Sequence, residues 1–172
     1  MDFLRLYRDG FCQGTGKRGC KTEKHRCRWV DQQSDIMIRY HDEEWGTPVH
    51  DDRLLFEFMC LDAFQAGLSW LTVLKKRENL KKSFFDFDID RCVRMTEKQM
   101  MAALNDPGII RNRLKVFAVK KNALAALAVI GEFGSLDEYL WSMAGGRPSL
   151  ITLRASWIFP PIPLSLTRCP GN

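Results

Sequence analysis

Apolar residues recur every three or four positions along most of residues 51–143, and this spacing is typical of amphipathic helices. Residues that favour helix starts or turns separate the apolar stretches, among them Asp51, Ser69 and the Asn-Asp-Pro-Gly run at residues 105–108. The pattern predicts helices over residues 51–66, 70–83, 91–95, 97–104 and 135–143, and a long helix after residue 112. Residues 27–50 show no such period and are interpreted as an irregular segment.

The first predicted helix has one apolar face. Leu55, Phe58, Met59, Asp62 and Ala66 lie at spacings of three and four residues and so share one face, whose apolar members we take as the inner ones. Asp62 shares that face, where an unpaired carboxylate would be costly. Two interpretations stay open: Asp62 lies at the wet edge of the stripe or caps a neighbour, or it is an acid that contacts a ligand beside an aromatic wall.

A sharp turn joins this helix to the next. Gly67 suits the left-handed residue that closes a helix, and Ser69 can cap the following one, so the pattern predicts an αα-hairpin with Trp70 at its mouth. In the second helix the inward residues are predicted to be Trp70, Val73, Leu74 and Leu80, and the outward ones Lys75, Lys76, Arg77, Lys81 and Lys82. The basic side fits either a solvated helix face or a surface that meets phosphates.

A second helix pair surrounds the turn at residues 105–108. Thr96 with Gln99, and Ser135 with Glu138, form capping-box patterns at two helix starts. The long helix after the turn is predicted to bury Leu114, Phe117, Ala118, Leu124, Ala125 and Ala128. Free N–H groups and basic residues at its first turn suit a DNA phosphate, although any αα-hairpin with a Pro-Gly turn shares this pattern.

Composition and charge fit one globular domain but do not identify a partner. The chain has 172 residues, of which 45% are hydrophobic and 27% charged. The net charge of +5 arises in the first 30 residues, which hold eight Lys/Arg against three acids, while the rest holds 18 of each. Contact with nucleic acid must therefore depend on local charge. No apolar run is long enough to cross a bilayer, and the first residues lack the apolar core of a signal peptide.

Cysteine and histidine residues leave a metal site open. Six cysteines at irregular spacing, without an export signal, predict reduced thiols or metal ligands rather than disulfides. Cys27 and His41 lie among the aromatic residues Trp29, Tyr40 and Trp45. A structural zinc would need two further ligands, and packing or surface roles are the alternative.

Four stretches taken together resemble the DNA-3-methyladenine glycosylase I family of helix-hairpin-helix DNA repair enzymes. They are Cys27-x-Trp29, residues 40–46 (Tyr-His-Asp-Glu-Glu-Trp-Gly), residues 61–78 and residues 108–113 (Gly-Ile-Ile-Arg-Asn-Arg). The resemblance runs from about Cys27 to Pro148. It implies an all-α helix-hairpin-helix glycosylase fold and a bacterial, cytoplasmic monomer that acts on double-stranded alkylated DNA. Such an enzyme flips 3-methyladenine out of the duplex and hydrolyses its N-glycosidic bond.

The resemblance also implies roles for residues of the base pocket. Tyr40 and Trp70 match the aromatic residues that stack on the base, and Trp45 is expected to line the same pocket. A π-face suits a base that alkylation has made cationic. Asp62, the expected catalytic-site acid, stands where the family usually has Glu, so we expect a less direct contact with the adenine edge. No strong general base is predicted, because the alkylated purine leaves readily.

Further residues are assigned to DNA and metal by the same resemblance. Gly67 and Leu68 match the loop that approaches the DNA stack, with Leu68 a candidate wedge in the gap left by the flipped base. The residues expected to bind DNA at the hairpin are Pro107, Gly108, Ile109, Arg111 and Arg113. Cys27 and His41 match half of the family's structural zinc site, and the second pair of ligands is missing.

The tail departs from the resemblance. Its last thirteen residues contain four prolines, and no helical period follows Pro148. With suitable synonymous codons, the same DNA encodes in another frame a sequence like the family's continuation, which indicates a frameshift or a disrupted gene. We therefore divide the chain into a basic, disordered extension (1–26), an incomplete glycosylase domain (27–148) and an irregular tail (149–172). We expect an unstable or inactive product.

Two other classes of function stay open from the sequence. One is a non-catalytic helix-hairpin-helix module that binds DNA, in which Asp62 is structural and the aromatic residues belong to the core. The other is a small zinc protein that uses Cys20, His25, Cys27 and His41. Release of methyladenine from alkylated DNA separates a glycosylase from both.

Overall fold

The computed structural model describes residues 26–145, which form seven α-helices and one short 3₁₀ turn and contain no strand. The elements are α1 (Asp35–Glu43), α2 (Asp52–Gln65), α3 (Trp70–Ser83), the 3₁₀ turn (Phe85–Phe87), α4 (Ile89–Val93), α5 (Glu97–Asn105), α6 (Arg113–Phe133) and α7 (Leu136–Met143). The all-α prediction is confirmed. The predicted tail and all but one residue of the predicted N-terminal extension lie outside the described residues.

Polar side chains fix the helix starts where the sequence predicts them. Asp51, Ser69 and Ser135 each accept a hydrogen bond from a backbone N–H in the first turn of the helix they precede. Thr96 and Gln99 make both bonds of a capping box at α5. These caps explain why the observed bounds of α2, α3 and α5 lie within about one residue of the predicted ones.

The buried face of α2 differs from the predicted one. The core side consists of Phe56, Glu57, Cys60, Leu61 and Phe64, all of them buried. The predicted stripe lies on the neighbouring side of the helix. Met59, Asp62 and Ala66 are exposed, whereas Leu55 and Phe58 are partly buried against the core. Asp62 therefore never enters the core, and its charge needs no buried partner.

The buried face of α6 was also predicted wrongly. Val116, Val119, Ala123 and Ala126 pack into the core. Leu114 is 83% exposed and Leu124 49% exposed, and Ala125 and Ala128 are exposed as well, so of the predicted inner stripe only Phe117 packs against the core, with Ala118 half-buried. Because α6 carries apolar residues around most of its circumference, its periodicity could not select a face.

The segment 27–50 is not irregular throughout. It contains α1, which Ser34 caps by accepting the N–H of Met37. Met37 packs with Val30 and with Leu74 of α3 in a small second core. This packing places α1 beside the start of α3, where the aromatic residues of both helices meet.

The 3₁₀ turn and α7 complete the packing around α2 and α3. Phe84 and Phe87 are fully buried and stack on each other in the core. The intervening turn holds Phe85, Asp86 and Phe87 at φ of about 55°, in the left-handed region. Asp52 accepts the N–H groups of Leu136 and Asp137, which joins the start of α2 to the start of α7. None of the described helices has the length and apolar content needed to span a membrane.

Candidate functional site

A cavity of about 510 Å³ opens between α1 and the junction of α2 with α3. Its aromatic wall consists of Trp29, Tyr40, Trp45 and Trp70, and we call this cavity the aromatic slot. Met37 and Leu71 add apolar surface, and Asp31, Asp62, Gln65 and Ser69 add polar groups. The structure thus brings four residues that the sequence analysis placed in a pocket, Tyr40, Trp45, Asp62 and Trp70, to one cavity.

The rings of the slot contact one another in series. The ring centroids of Tyr40 and Trp70 are 5.3 Å apart, with the planes inclined at 60°. Trp29 lies 6.3 Å from Tyr40 and 5.4 Å from Trp45 by the same measure. These tilted and edge-to-face contacts are favourable for aromatic pairs, and all four rings line the cavity. Trp29 was not assigned to the site from the sequence, although it belongs to the quoted Cys27-x-Trp29 motif.

Asp62 stands on the last two turns of α2, at the rim of the slot. Within residues 26–145 its carboxylate accepts no hydrogen bond and forms no ion pair. Burial raises the pKa of the Asp62 carboxyl above its ordinary value. The carboxylate is therefore partly exposed to water and also available to a ligand. Asp62 lies at the wet edge of its helix, as one interpretation of the sequence has it, and beside an aromatic wall, as the other has it.

Tyr40 and Trp70 form the polar centre of the wall. Burial raises the pKa of the Tyr40 phenol, and the negative charges of Asp62 and Glu44 raise it further, while Arg77 opposes them. The indole N–H of Trp70 also opposes the rise, but it does not reach hydrogen-bond geometry and stays buried without an acceptor. Tyr40 therefore stays a neutral phenol at physiological pH.

A buried ion network holds α1, α2 and α3 together behind the slot. Arg77 Nε donates to Glu57 Oε1 at 2.5 Å, and Arg77 Nη1 donates to Glu44 Oε2 at 2.6 Å. The Arg77 side chain is 14% exposed and that of Glu57 is 3% exposed. Arg77 also lies over the ring of Phe58. The prediction that Arg77 points outward with the lysines of α3 is wrong, because two carboxylates draw it inward.

The α2–α3 junction, residues 66–69, is a tight turn that we call the elbow. Gly67 has φ of 77°, which only glycine adopts without strain, and Leu68 at the tip is 40% exposed. Ser69 accepts the N–H of Thr72 and so starts α3. The elbow separates Asp62 and Gln65 on one helix from Trp70 on the next, which places both sides of the hairpin at the slot.

The α5–α6 connection, residues 106–112, contains the predicted turn, and we call it the 106–112 loop. Asp106 Oδ1 accepts the N–H of Gly108 at 2.7 Å, and Asn112 caps α6. Arg111 and Arg113 are exposed, and Arg113 lies over the ring of Phe117. Ile109 is 2% exposed, so its side chain belongs to the core and cannot contact DNA; only its backbone groups could do so.

The described residues do not complete a metal site. Cys27 N–H donates to His41 Nε2 at 3.4 Å, and His41 Nδ1 lies 3.0 Å from Asp42 Oδ1. Both ring nitrogens of His41 thus have protein partners. No group of three or more His, Cys, Asp or Glu residues between residues 26 and 145 is placed to hold a metal ion. Cys20 and His25, the other ligands considered from the sequence, lie outside this range.

The arrangement suits a flat, cationic heteroaromatic ligand. Tyr40 and Trp70 line the cavity with aromatic rings, whose faces attract positive charge, and the Asp62 carboxylate can accept N–H groups at the edge of such a ligand. The elbow and the 106–112 loop present exposed groups next to α2 and α6. Among the described residues that line the slot there is no Cys, His or Lys side chain to act as a strong nucleophile, so these residues favour binding and orientation over covalent catalysis.

A family model supports this interpretation. The model described as methyladenine glycosylase matches residues 29–157. The match continues past Pro148 into the segment that the sequence analysis assigned to the irregular tail. That boundary stays a prediction.

Relatives and solved structures agree with the family model. The DNA-3-methyladenine glycosylase of Haemophilus influenzae is 45% identical over 123 residues, and that of Escherichia coli is 42% identical over 125. The alignments cover 72% and 73% of this chain and 66% of each relative, so the chain spans about two thirds of their length. A crystal structure of 3-methyladenine DNA glycosylase I superposes with a TM-score of 0.69 at 46% identity, covering 73% of this chain and 68% of that one. A crystal structure of a Tyr-to-Phe variant of a 3-methyladenine DNA glycosylase I in complex with 3-methyladenine superposes with a TM-score of 0.67 at 33% identity. It covers 68% of this chain, and this chain covers 63% of it.

Proposed function

Because the chain belongs to the methyladenine glycosylase family, we propose that its aromatic slot receives 3-methyladenine flipped out of alkylated double-stranded DNA. The observation that carries the proposal is the meeting of Tyr40, Trp70 and Asp62 around one cavity. Two aromatic rings and one unpaired carboxylate are the groups that a flat purine with a positive charge requires.

Charge selects the substrate in this proposal. Methylation at N3 makes the purine cationic, so the ring faces of Tyr40 and Trp70 attract it more strongly than they attract neutral adenine. Asp62 accepts an N–H from the edge of the base in a charge-assisted hydrogen bond. A methylated base also stacks less well in the duplex, which lowers the cost of extruding it.

The chemistry that follows needs little from the protein. The bond between C1′ of the sugar and N9 of the purine breaks, and its electron pair neutralises the departing base. Water then adds to the sugar cation and loses a proton to solvent. The slot contributes by holding the base in place, since correct positioning is itself a large part of catalysis. Asp62 orients the base in this scheme and does not act as a strong general base.

DNA contacts are proposed for the elbow and for the 106–112 loop. The exposed Leu68 fills the gap left by the flipped base, and Gly67 lets the backbone approach the stack. Arg111, Arg113 and the backbone of residues 107–109 face the phosphates. These contacts fix register rather than sequence, as a repair enzyme that scans DNA requires.

Location, assembly and metal content are proposed from the family resemblance alone. We assign the chain to the bacterial cytoplasm, where its DNA substrate resides, and to a monomer. Zinc stays a prediction for Cys27 and His41, and no step at the aromatic slot depends on it.

The proposal is tested by base binding and base release with the full 172-residue chain. Isothermal titration with free 3-methyladenine should show binding, and Trp70→Ala and Asp62→Asn should each weaken it about 10-fold or more. Trp141→Phe, which alters a tryptophan outside the slot, is the control and should bind like the parent.

Chromatography of methylated duplex DNA after incubation with the chain measures release. Free 3-methyladenine supports a glycosylase and contradicts the inactivity predicted from the tail. A chain that shifts DNA in gels, yet neither binds free 3-methyladenine nor releases it, is the non-catalytic DNA-binding module instead.

A further inference from the structure

Lys115 joins the helix that follows the 106–112 loop to the elbow beside the slot. Its Nζ donates to the carbonyl oxygen of Phe64 at 2.8 Å and to that of Ala66 at 2.6 Å. These carbonyls end α2, where the helix leaves backbone acceptors without intrahelical partners. An ammonium group at a helix C-terminus is favoured by both the hydrogen bonds and the helix dipole.

The opposite connection is made from α3. Lys76 Nζ donates to the carbonyl of Pro107 at 2.9 Å, and Asn79 Nδ2 donates to that of Gly108 at 3.4 Å. The 106–112 loop is thus attached to the helix that begins with Trp70, while the elbow is attached to the helix that follows the loop. Two crossed connections hold the proposed DNA-facing loop and the slot in one fixed geometry.

These contacts argue against a phosphate-binding role for Lys115. Lysine binds phosphate through a free ammonium group, whereas two of the three Nζ donors here are already taken by carbonyls at short distance. Arg111, by contrast, is exposed and makes no hydrogen bond or ion pair within the described residues. The two cations near the loop therefore differ in what they contact, although the sequence shows only a basic first turn.

We propose that Lys115 is a positioning residue that holds the elbow, and with it Asp62 and Leu68, in register with the 106–112 loop. When the loop docks on the DNA backbone, this connection fixes where the wedge and the slot stand relative to the target nucleotide. Lys115 touches neither the base nor the phosphates. The inference rests on the proposed function for its consequence, but its geometric content can be tested without catalysis.

The salt dependence of DNA binding separates a positioning residue, whose link to the elbow we call the clamp, from a phosphate ligand. Arg111→Gln should reduce the magnitude of the negative slope of log K against log salt by about one, as expected for a lost phosphate contact. Lys115→Met should leave the slope unchanged. Lys121→Met is the matched control, an exposed lysine of the same helix that makes no hydrogen bond or ion pair within the described residues, and its slope should equal that of the parent. A drop of about one for Lys115→Met would overturn the proposal.

Amide hydrogen exchange tests the elbow directly. Lys115→Met should speed exchange of the Leu68 amide, which donates to the carbonyl of Gln65 in the elbow, by about 10-fold or more, while amides of α5 and of the middle of α6 stay protected. Lys115→Arg, which can still donate to both carbonyls, should restore protection. If Lys115→Met does not fold, Lys115→Gln is measured in the same way. Unchanged exchange at the elbow in a folded variant contradicts the clamp.

Single-turnover kinetics on methylated duplex link the clamp to function. The rate constant for base release should fall about 10- to 100-fold in Lys115→Met, because a displacement of about 1 Å is enough for such a loss. A merely structural role would lower the amplitude, through fewer folded molecules, and leave the rate constant unchanged. Failure of the proposed function appears as no release by the parent chain, whereas failure of the clamp appears in the salt slope and in exchange.

Discussion

The carboxylate of Asp62 faces water on one side and the aromatic wall of the slot on the other. Its position follows from the face of α2 on which it lies, since the core takes Phe56, Cys60, Leu61 and Phe64 instead. At the scale of single residues, the slot works by leaving one acid unpaired beside rings that attract cations. The free carboxylate is thus an available acceptor rather than a structural ion.

Lengthening this acid by one methylene should improve base binding. Asp62→Glu extends the carboxylate toward the base, so we expect the affinity for 3-methyladenine to rise several-fold, by roughly the worth of one better-aligned charged hydrogen bond. Titration calorimetry measures the change. Asp31→Asn, at the other acid of the slot, is the control, because Asp31 Oδ1 already accepts the N–H of Gln33. Weaker binding by Asp62→Glu would show that the slot is fitted to the shorter side chain.

The raised pKa of Asp62 gives base binding a pH dependence. The ionised carboxylate accepts an N–H group of the base more strongly than the protonated carboxyl does, so the affinity for free 3-methyladenine should fall as pH drops through a pKa that lies above the ordinary value for Asp. For stability the sign is opposite, since a raised carboxyl pKa means that ionisation disfavours the folded state and protonation relieves it. Calorimetric titrations across mildly acidic pH check this, and Asp62→Asn should remove the dependence.

At the scale of elements, the network of Glu44, Arg77 and Glu57 sets how α1, α2 and α3 meet behind the slot. Removal of the central cation leaves Glu57 as a buried charge without its partner. Arg77→Met should therefore lower the free energy of unfolding by about 3–5 kcal/mol. Urea denaturation measures the loss, with Lys75→Met on the exposed side of the same helix as control. A loss below about 1 kcal/mol would mean that the network is dispensable.

The orientation of α6 has its own test. Val119→Ala removes a side chain that is 2% exposed and should cost about 2 kcal/mol, whereas Leu124→Ala, on the exposed side, should change stability by less than about 0.5 kcal/mol. The two variants can be compared by urea denaturation under the same conditions. The reverse order would return α6 to the face predicted from the sequence.

Helix bounds could be predicted from the sequence, but helix faces could not. Caps such as Asp51, Ser69 and Thr96 are local signals, and each stands at an observed helix start. In α2 and α6 apolar residues surround most of the helix, so the buried side depends on tertiary packing. The α1 helix was missed because its polar and aromatic residues hide the period, although Ser34 was available as a cap.

The same limit applies to the slot. Tyr40, Trp45, Asp62 and Trp70 could be gathered through the family resemblance, because separate motifs carry them. Arg77 and Lys115 could not, since a basic residue on a helix gives no sign of whether it faces solvent, carboxylates or the end of another helix. Their partners lie 20 to 51 residues away in the chain, so only the fold reveals them.

At the scale of the whole molecule, the slot and the residues that hold it in place, Arg77 and Lys115, fall within residues 29–115. This range lies inside the segment that the family model matches. The pair Cys27 and His41 lies within the described residues but supplies only half of a tetrahedral zinc site. Binding at the aromatic slot and zinc binding at Cys27 and His41 can therefore be tested in separate experiments.

Metal removal should leave the fold unchanged on this basis. A strong chelator should shift the thermal midpoint by less than about 1 °C, because two ligands contribute no comparable folding energy. Scanning fluorimetry with and without chelator measures the shift, and elemental analysis of the purified chain accompanies it. A lowered midpoint together with one zinc per chain would show that ligands outside residues 26–145 close the site.

Asp52 lies in the first turn of α2, and its two carboxylate oxygens accept the first two N–H groups of α7. Helix ends ordinarily fray one at a time. Here a single side chain serves two positive helix ends that are more than eighty positions apart in sequence, so loosening one loosens the other. The start of the second described helix and the start of the last one are thereby held together by one carboxylate.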